Sequence, residues 1–304
     1  MVGPGGGYRR SVPTPPITLV VASRDRRERL LETLVRLVET DPGIPVVVVD
    51  DGSTDGTAAA IAERFPAVRV LAASPPGGRP AGAAAARNAG VRAATTPLVA
   101  LGDDDAWWAP GALARAVERF DRDPGLGLLA AHVLVGTPPR PDEATTAMAR
   151  GPASLAAPAD HDVLGFVACG VVARRAALLA VGGFPARYGT GGEEAALAIE
   201  LAAAGWGVRH APDVVVHHEP PGDRDAAAVG RRRATMVRND LWTAWARRRG
   251  RAAVGLTAAT AARAAVDADA RRGLRAALRE APRVLAGRRA VRPALERRLR
   301  TAGR

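Results

Sequence analysis

Leu101-Gly102-Asp103-Asp104-Asp105-Ala106-Trp107-Trp108 is the stretch whose reading decides the fold. Pro97-Leu98-Val99-Ala100-Leu101 runs into it from the turn-like Thr95-Thr96-Pro97, and this short apolar run predicts a buried strand. Three carboxylates then stand where that strand leaves its sheet. Carboxylates this close repel one another, so something positive must offset them. A hard divalent cation held through oxygen, with phosphates as further ligands, is one answer. A solvated acidic turn capping the helix that opens near Pro110 is the other.

Upstream, Ile17-Thr18-Leu19-Val20-Val21-Ala22 reads as a β-branched strand followed by Ser23-Arg24-Asp25-Arg26. A helical period then puts Leu30, Leu31, Leu34, Leu37 and Val38 on one face. Pro42-Gly43 breaks it. Pro45-Val46-Val47-Val48-Val49 predicts a second buried strand, ending in the turn Asp50-Asp51-Gly52-Ser53-Thr54-Asp55-Gly56-Thr57 and a helix from Ala58 to Phe65. A third strand spans Val68 to Leu71, and a helix from Gly82 to Ala94 carries Arg87 and Asn88. Alternating strands and helices, with near-continuous Val/Ile/Leu strands, predict a parallel sheet covered on both faces. Ligands of such sheets sit beyond the carboxyl ends of the strands. Ser23, Asp51 and Asp103, far apart in sequence, should therefore meet in one crevice.

Downstream, a helix should run from Pro110-Gly111 to Phe120 and a strand from Leu126 to Val135. Residues 137–160 read as a Pro/Ala-rich functional or mobile loop. Val163 to Ala173 reads as a strand, and Gly182-Gly183-Phe184 as a turn. Gly189-Thr190-Gly191-Gly192-Glu193-Glu194 leads into a helix from Ala195 to Ala204 that Gly205 closes. Two short strands, 206–209 and 214–216, end at His217-His218-Glu219-Pro220.

The 304 residues suffice for one large or two modest domains. Residues 1–15 are Gly- and Pro-rich and expected to be disordered. They lack the apolar core of a secretory signal. The best candidate span, 252–266, is Ala-dominated and interrupted by Arg263. Cys169 stands alone, which excludes an intrachain disulfide and a cysteine metal cluster. A cytoplasmic protein is expected. All 43 basic residues are Arg and there is no Gln, a compositional bias that empties the +12 net charge of most meaning. Its distribution says more: residues 222–304 hold 22 Arg against seven acidic residues, +15, so the remainder carries −3. Arg231-Arg232-Arg233, Trp242, Trp245 and Arg247-Arg248-Arg249 suit an anionic membrane surface or a helical extension that packs both Trp on the preceding domain. No RNA-binding module is recognisable, so nucleic acid is not an expected partner.

These motifs in this order resemble the family 2 glycosyltransferases, over residues 16–220. The resemblance rests on the strand ending Val-Ala-Ser-Arg-Asp-Arg, the 50–57 turn and Ala86-Arg87-Asn88-Ala89-Gly90. It continues through the Asp-x-Asp at Asp103/Asp105, the Gly192-Glu193-Glu194 helix start and a late His. It implies a GT-A fold: a Rossmann-like nucleotide-binding α/β/α sandwich with a mostly parallel sheet, here followed by a C-terminal helical extension. Residues 16–108 would form the nucleotide-binding half, 109–221 the acceptor half and 222–304 the basic tail.

The implied reaction moves a sugar, with inversion, from a nucleotide-sugar donor (UDP or dTDP) to a hydroxyl of a glycan, lipid-linked or small-molecule acceptor. Asp103 and Asp105 would hold Mn²⁺ or Mg²⁺ against the donor diphosphate, with His218, rather than His217, as a third ligand. Adjacent residues of a strand face opposite ways, so only one of the two His can serve. Ser23, Asp51, Arg87, Asp103 and Asp104 would bind the donor: Ser23 and Asp51 near base and ribose, Arg87 as a phosphate clamp or as a partner to an acid across the crevice. Arg87 has a plainer alternative, capping or salt-bridging its own helix. Glu194, standing where the family usually has Asp, would be the base, although Glu193 and Glu194 also suit the anion-favouring first turn of a helix. One of Trp107 and Trp108 should be core and the other free to stack on a sugar, and residues 184–192 should form a mobile loop over the donor.

A nicotinamide-dependent Rossmann enzyme is excluded because Ser23-Arg24-Asp25-Arg26 replaces the Gly-rich turn. A processive synthase is disfavoured, since its Gln-x-x-Arg-Trp motif cannot exist without Gln. A nucleotidyltransferase of similar fold and a sugar-nucleotide binder without turnover are the remaining alternatives.

Overall fold

Strands β1 (Ile17–Ser23), β2 (Val46–Asp50), β3 (Arg69–Ala72) and β4 (Leu98–Asp103) alternate with helices α1 (Arg27–Thr40), α2 (Thr57–Arg64) and α3 (Ala83–Ala93). The structure, a computed structural model, describes residues 15–149, 160–222 and 225–302. The expected disorder of residues 1–15 therefore lies, Pro15 apart, outside the described residues. All pairings among these four strands are parallel, in the order β3-β2-β1-β4. Val20, Val21, Val48, Val49, Val99 and Leu101 are fully buried, which is why these strands read as unbroken apolar runs.

The chain continues through β5 (Ala106–Trp108), α4 (Ala112–Arg122), β6 (Leu126–Val135), β7 (Arg140–Pro141), α5 (Glu143–Ala149), β8 (His161–Asp162), β9 (Val171–Arg174), α6 (Arg175–Ala180), α7 (Glu193–Ala203) and β10 (Gly207–His218). The sheet becomes mixed here: β9 lies antiparallel between β4 and β6, β6 and β10 are parallel, and β5 returns antiparallel along β10. One apolar layer packs α1, α2 and α4 on the sheet through Leu30, Leu34, Ile61, Leu113 and Phe120. The other packs α3, α6 and α7 through Ala86, Val91, Leu178, Leu197 and Leu201. Each large aliphatic buried in these layers contributes ~1.5–3 kcal/mol, enough to fix the register of each helix. In α3, Gly90 has no room for a side chain, since a Cβ there would lie 2.2 Å from Val20 Cγ1. That close approach holds α3 against β1 and brings Arg87, one turn earlier, beneath the strand ends.

Four local expectations differ from the structure. Val38 is exposed rather than on the buried face of α1. The stretch 137–160 contains β7 and α5 before the residues outside the description. Thr145 Oγ1 accepts the Val133 N–H at 3.1 Å and Met148 enters the apolar layer, so this part is folded. The run 163–173 is no continuous strand. Val163 and Phe166 turn into the core, a 3₁₀ turn covers Ala168–Gly170, and only then does β9 begin. The two short strands at 206–216 are one, β10, with a register shift between Ala211 and Val215.

The C-terminal region is helical as expected: α8 (Ala226–Arg247), α9 (Gly250–Ala264), α10 (Ala268–Arg279), α11 (Ala281–Ala286) and α12 (Pro293–Ala302). Trp242 and Trp245 are 6 % and 7 % exposed and cluster with Tyr188 and Ala196 of the preceding region. Val291, Leu295 and Leu299 pack on Ile199 of α7. Both Trp are thus spent on packing rather than offered to a membrane. No described helix is long and apolar enough to cross one.

Candidate active site

The strand ends that sequence separates are level in space. Ser23 pairs with Asp50 across β1–β2, and Ala22 with Asp103 across β1–β4. The loops after β1 and β2 are stitched together. Ser53 Oγ accepts the Asp25 N–H at 2.9 Å, Asp25 Oδ1 accepts the Thr54 N–H at 2.7 Å, and Asp55 Oδ2 accepts the Arg27 N–H at 2.9 Å. Asp50 Oδ1 takes the Ser53 N–H, three residues on, at 2.8 Å and so closes the turn. The buried Asp51 carboxylate accepts from Ser74 Oγ, the Ala81 N–H and the Gly82 N–H, each at 2.8 Å. Asp51 therefore shapes the loop that feeds α3, and a base imide would have to compete with those donors.

The three acids have different neighbours. Asp103 Oδ1 accepts from Arg87 Nη2 at 2.7 Å. Asp104 accepts from Ser23 Oγ at 2.8 Å and Arg26 Nη1 at 2.6 Å, and its carbonyl accepts from Thr33 Oγ1 at 2.8 Å. Burial pushes its carboxyl up to about 6 despite Arg26. Asp105 lies 3.0 Å from Arg26 Nη2 and 3.2 Å from His218 Nε2. Burial works against its charge too, but His218 and Arg26 outweigh it and hold its pKa below the ordinary value. Asp104 and Asp105 are 5 % and 4 % exposed, and α4 is capped by Gly111 with no side-chain bond, so the solvated capping turn fails. Ser23 is turned to Asp104.

Arg26 was not among the expected site residues; its place just after β1 was visible, but its span across two acids was not. His217 faces away from His218, stacked on Trp107 at 5.6 Å, and Arg36 lies 4.0 Å from the same ring. Trp108 is core, as one of the pair should be, but Trp107 is already covered by these two neighbours.

Arg87 faces the other side of the crevice. Its Nη1 is 3.8 Å from Glu193 Oε1. Burial opposes its charge, but Asp103, Glu194 and Glu193 outweigh it and drive its pKa up. Arg87 thus pairs with acids across the crevice, from β4 and α7, rather than capping or salt-bridging its own helix. Glu193 is 1 % exposed and its Oε2 accepts the Gly191 N–H, so it is far from a marginal helix-start anion. Glu194 is half-buried at the same start of α7, and burial with the charge of Glu193 lifts it to about 7.

The 184–192 segment is pinned rather than mobile. Asn88 bonds Phe184 twice, Nδ2 to its carbonyl and Oδ1 from its N–H, both at 2.8 Å. Gly183 makes this possible: its φ is +72°, and a Cβ would lie 2.3 Å from Asn88 Oδ1. From α8, Asn239 Nδ2 donates to the carbonyls of Tyr188 (2.9 Å) and Gly191 (2.5 Å), and Arg238 Nη2 to Tyr188 (2.6 Å). Asn239 sits in an Arg-rich helix where no sequence signal distinguishes it. Among the described residues no three His, Cys, Asp or Glu side chains converge as a ready-made cation site. Asp105 and His218 touch, while Asp103 is turned to Arg87.

Several known proteins are similar to this chain in sequence or in fold. Over 247 residues the chain is 26 % identical to the N-acetylglucosaminyl-diphospho-decaprenol L-rhamnosyltransferase of Mycobacterium tuberculosis, covering 67 % of this chain and 76 % of that protein. It is 36 % identical over 109 residues to the succinoglycan biosynthesis protein ExoO of Rhizobium meliloti, 35 % of this chain but only 30 % of that relative. Among solved structures, the mannosyltransferase PcManGT of Pyrobaculum calidifontis, in complex with GDP-Man and Mn²⁺, superposes with a TM-score of 0.58 at 25 % identity, over 82 % of this chain and 75 % of that one. S. aureus TarS 1–349 with UDP-GlcNAc reaches 0.58 at 15 % identity, over 75 % and 66 %, a likeness of fold alone. The fold is thus the GT-A fold with added C-terminal helices. The family profile of glycosyl transferase family 2 matches residues 18–181, more than half of the sequence, and the chain belongs to that family.

Proposed function

We propose that the protein is an inverting, metal-dependent glycosyltransferase that moves a sugar from a nucleotide-sugar donor, UDP- or dTDP-linked, to an acceptor hydroxyl in cell-surface glycan assembly. One observation carries this reading. Arg87 is buried between Asp103 and Glu193 with Nε and Nη1 making no hydrogen bond. A buried guanidinium with free donors is costly unless something completes it, and a diphosphate oxygen is the acceptor its fork fits. Arg87 would then stabilise the charge of the departing nucleoside diphosphate.

Asp105 and His218, already in contact, offer a hard carboxylate oxygen and an imidazole nitrogen, and Asp103 offers a second carboxylate across the crevice. This set fits Mn²⁺ or Mg²⁺ with diphosphate oxygens completing the shell. When bound, the cation supplies charge stabilisation to the leaving group. Arg26, bridging Asp104 and Asp105, holds the acids in place, and Ser23 orients Asp104. Glu194 takes the acceptor proton, its carboxyl poised near neutrality for a general base.

Residues 16–108 bind the donor and 109–221 the acceptor, with α8 completing the acceptor side through Asn239. The names of the Mycobacterium and Rhizobium relatives support a lipid-linked or glycan acceptor. A peripheral seat on an anionic membrane would rest on the arginines of 222–304. Mass-spectrometric screening of transfer and hydrolysis across UDP-, dTDP- and GDP-sugars, with Mn²⁺ or Mg²⁺, tests the reading. Metal-dependent turnover of a UDP- or dTDP-sugar is expected. Turnover of GDP-sugars alone overturns the donor assignment, and no turnover of any overturns the transferase.

A further inference from the structure

A basic cavity lies outside the crevice, where the C-terminal helices meet the Tyr188 turn. It measures about 370 Å³ and is lined by Arg187, Arg238, Trp242, Arg279, Glu280 and Arg283. Four guanidinium groups share this space with a single carboxylate, Glu280, which lies 4.0 Å from Arg283. Some arginines of the C-terminal helices are matched to acids, as Arg248 is to Glu296, Arg263 to Asp267 and Arg272 to Asp269. Among the described residues Arg187, Arg238 and Arg279 make no ion pair.

Two of the four are held in position by aromatic stacking. The Arg238 guanidinium stands 4.5 Å from the Trp242 ring centroid and that of Arg187 5.7 Å from the same ring. Arg238 Nη2 also donates to the Tyr188 carbonyl at 2.6 Å, which fixes its fork beside the cavity. Like charges that line one space repel in the absence of an anion. Planar guanidinium forks match phosphate oxygens, and the volume admits a phosphate group with part of its substituent.

We propose that this cavity binds a phosphate or diphosphate group carried by the acceptor, at a site separate from that of the donor. The placement on the acceptor side rests on the transferase reading; the anion site itself does not. A continuous set of bonds joins the two places. Arg238 and Asn239 hold the Tyr188 carbonyl, Asn239 holds the Gly191 carbonyl, and the Gly191 N–H is donated to Glu193. An anion seated on Arg238 is therefore linked to the backbone that presents Glu193 and Glu194.

Calorimetry on the full chain, in EDTA and at low salt, tests this with inorganic pyrophosphate and with farnesyl diphosphate. Both should bind without metal, and Arg279→Ala/Arg283→Ala should weaken both by about tenfold or more, each lost charge-assisted bond being worth at least that factor. Both arginines are solvent-exposed, so the variant should fold, and circular dichroism checks that it does. Tighter binding of farnesyl diphosphate assigns a lipid-linked source, and equal binding a free diphosphate. Metal-dependent UDP or dTDP binding should be unchanged in the variant, which separates this site from the donor reading. Absence of metal-free pyrophosphate binding, or binding unaffected by the double variant, overturns the proposal.

Discussion

His218 Nε2 lies 3.2 Å from Asp105 Oδ1, and backbone pairing sets that distance. Ala106 of β5 sits opposite His218 of β10, and the next residue, Glu219, donates its N–H to the Asp105 carbonyl at 2.9 Å. An acid from the turn after β4 and a histidine at the end of β10 are thereby fixed as a pair before any ligand arrives. In the cation site proposed above, such a preformed pair would lower the cost of holding the ion.

That pairing makes Asp105→Asn the informative substitution. Asn keeps the shape and leaves an acceptor for Arg26, but it removes the charge. Mn²⁺-dependent binding of UDP or dTDP should fall by at least tenfold, while the melting temperature moves little. Undiminished metal-dependent binding, read by calorimetry, removes Asp105 from the cation site.

Arg87 should matter for stability as well as for binding. Truncation to Ala leaves Asp103 and the buried Glu193 without their cation, and breaking one side of such a pair costs about 3–5 kcal/mol. Arg92, exposed one and a half turns later on α3, is the comparison; its truncation should stay within ~0.5 kcal/mol. Equal urea midpoints for the two variants would show that Arg87 carries no buried charge network.

How much of this was legible in the sequence follows from the range of each interaction. The β1 to β4 framework was readable because burial on both faces writes itself as unbroken Val and Leu. The convergence of Ser23, Asp51 and Asp103 followed from parallel topology alone. What each residue touches did not follow. Ser23 and Asp51 are engaged by Asp104 and by the Ser74–Gly82 loop, contacts spanning 81 and up to 31 positions. Arg26 and Asn239 were missed because their roles depend on packing between elements remote in the chain. The α5 helix was missed because seven residues with little periodicity resemble a loop until β6 lies beneath them.

A histidine group on the far part of the sheet yields a pH prediction. His210 is fully buried, neither ring nitrogen hydrogen-bonded, with His161 and His132 at ring distances of 5.2 and 5.8 Å. Burial, with the neighbouring His161 and His132, lowers its pKa to about 4. Unfolding returns it to an ordinary value of about 6.5. The unfolded chain therefore binds more protons between these values, and stability present above pH 6.5 is lost as pH falls toward 4. Denaturation at pH 7 and pH 4.5 should show His210→Leu losing less stability on acidification than the parent, by on the order of 3 kcal/mol. Identical losses in both proteins would place the acid sensitivity elsewhere.

Glu194 gives the sharpest test of mechanism. Its carboxyl, lifted to about 7 by burial and by Glu193, is protonated below that value and competent as a base above it. Parental transfer should therefore climb as pH rises through about 7. Glu194→Gln keeps the volume and removes the basicity, so transfer should fall by ~10²–10⁴-fold and lose that limb of the pH profile. Donor and metal affinity should barely change, because the variant leaves Asp103, Asp105, His218 and Arg87 intact. Glu193→Gln behaves differently: it disturbs the Gly191 N–H contact and uncovers Arg87, so it should lower stability and donor binding together. A Glu194→Gln protein that transfers sugar at near-parental rate, with its pH limb preserved, would move the base to another group in the crevice.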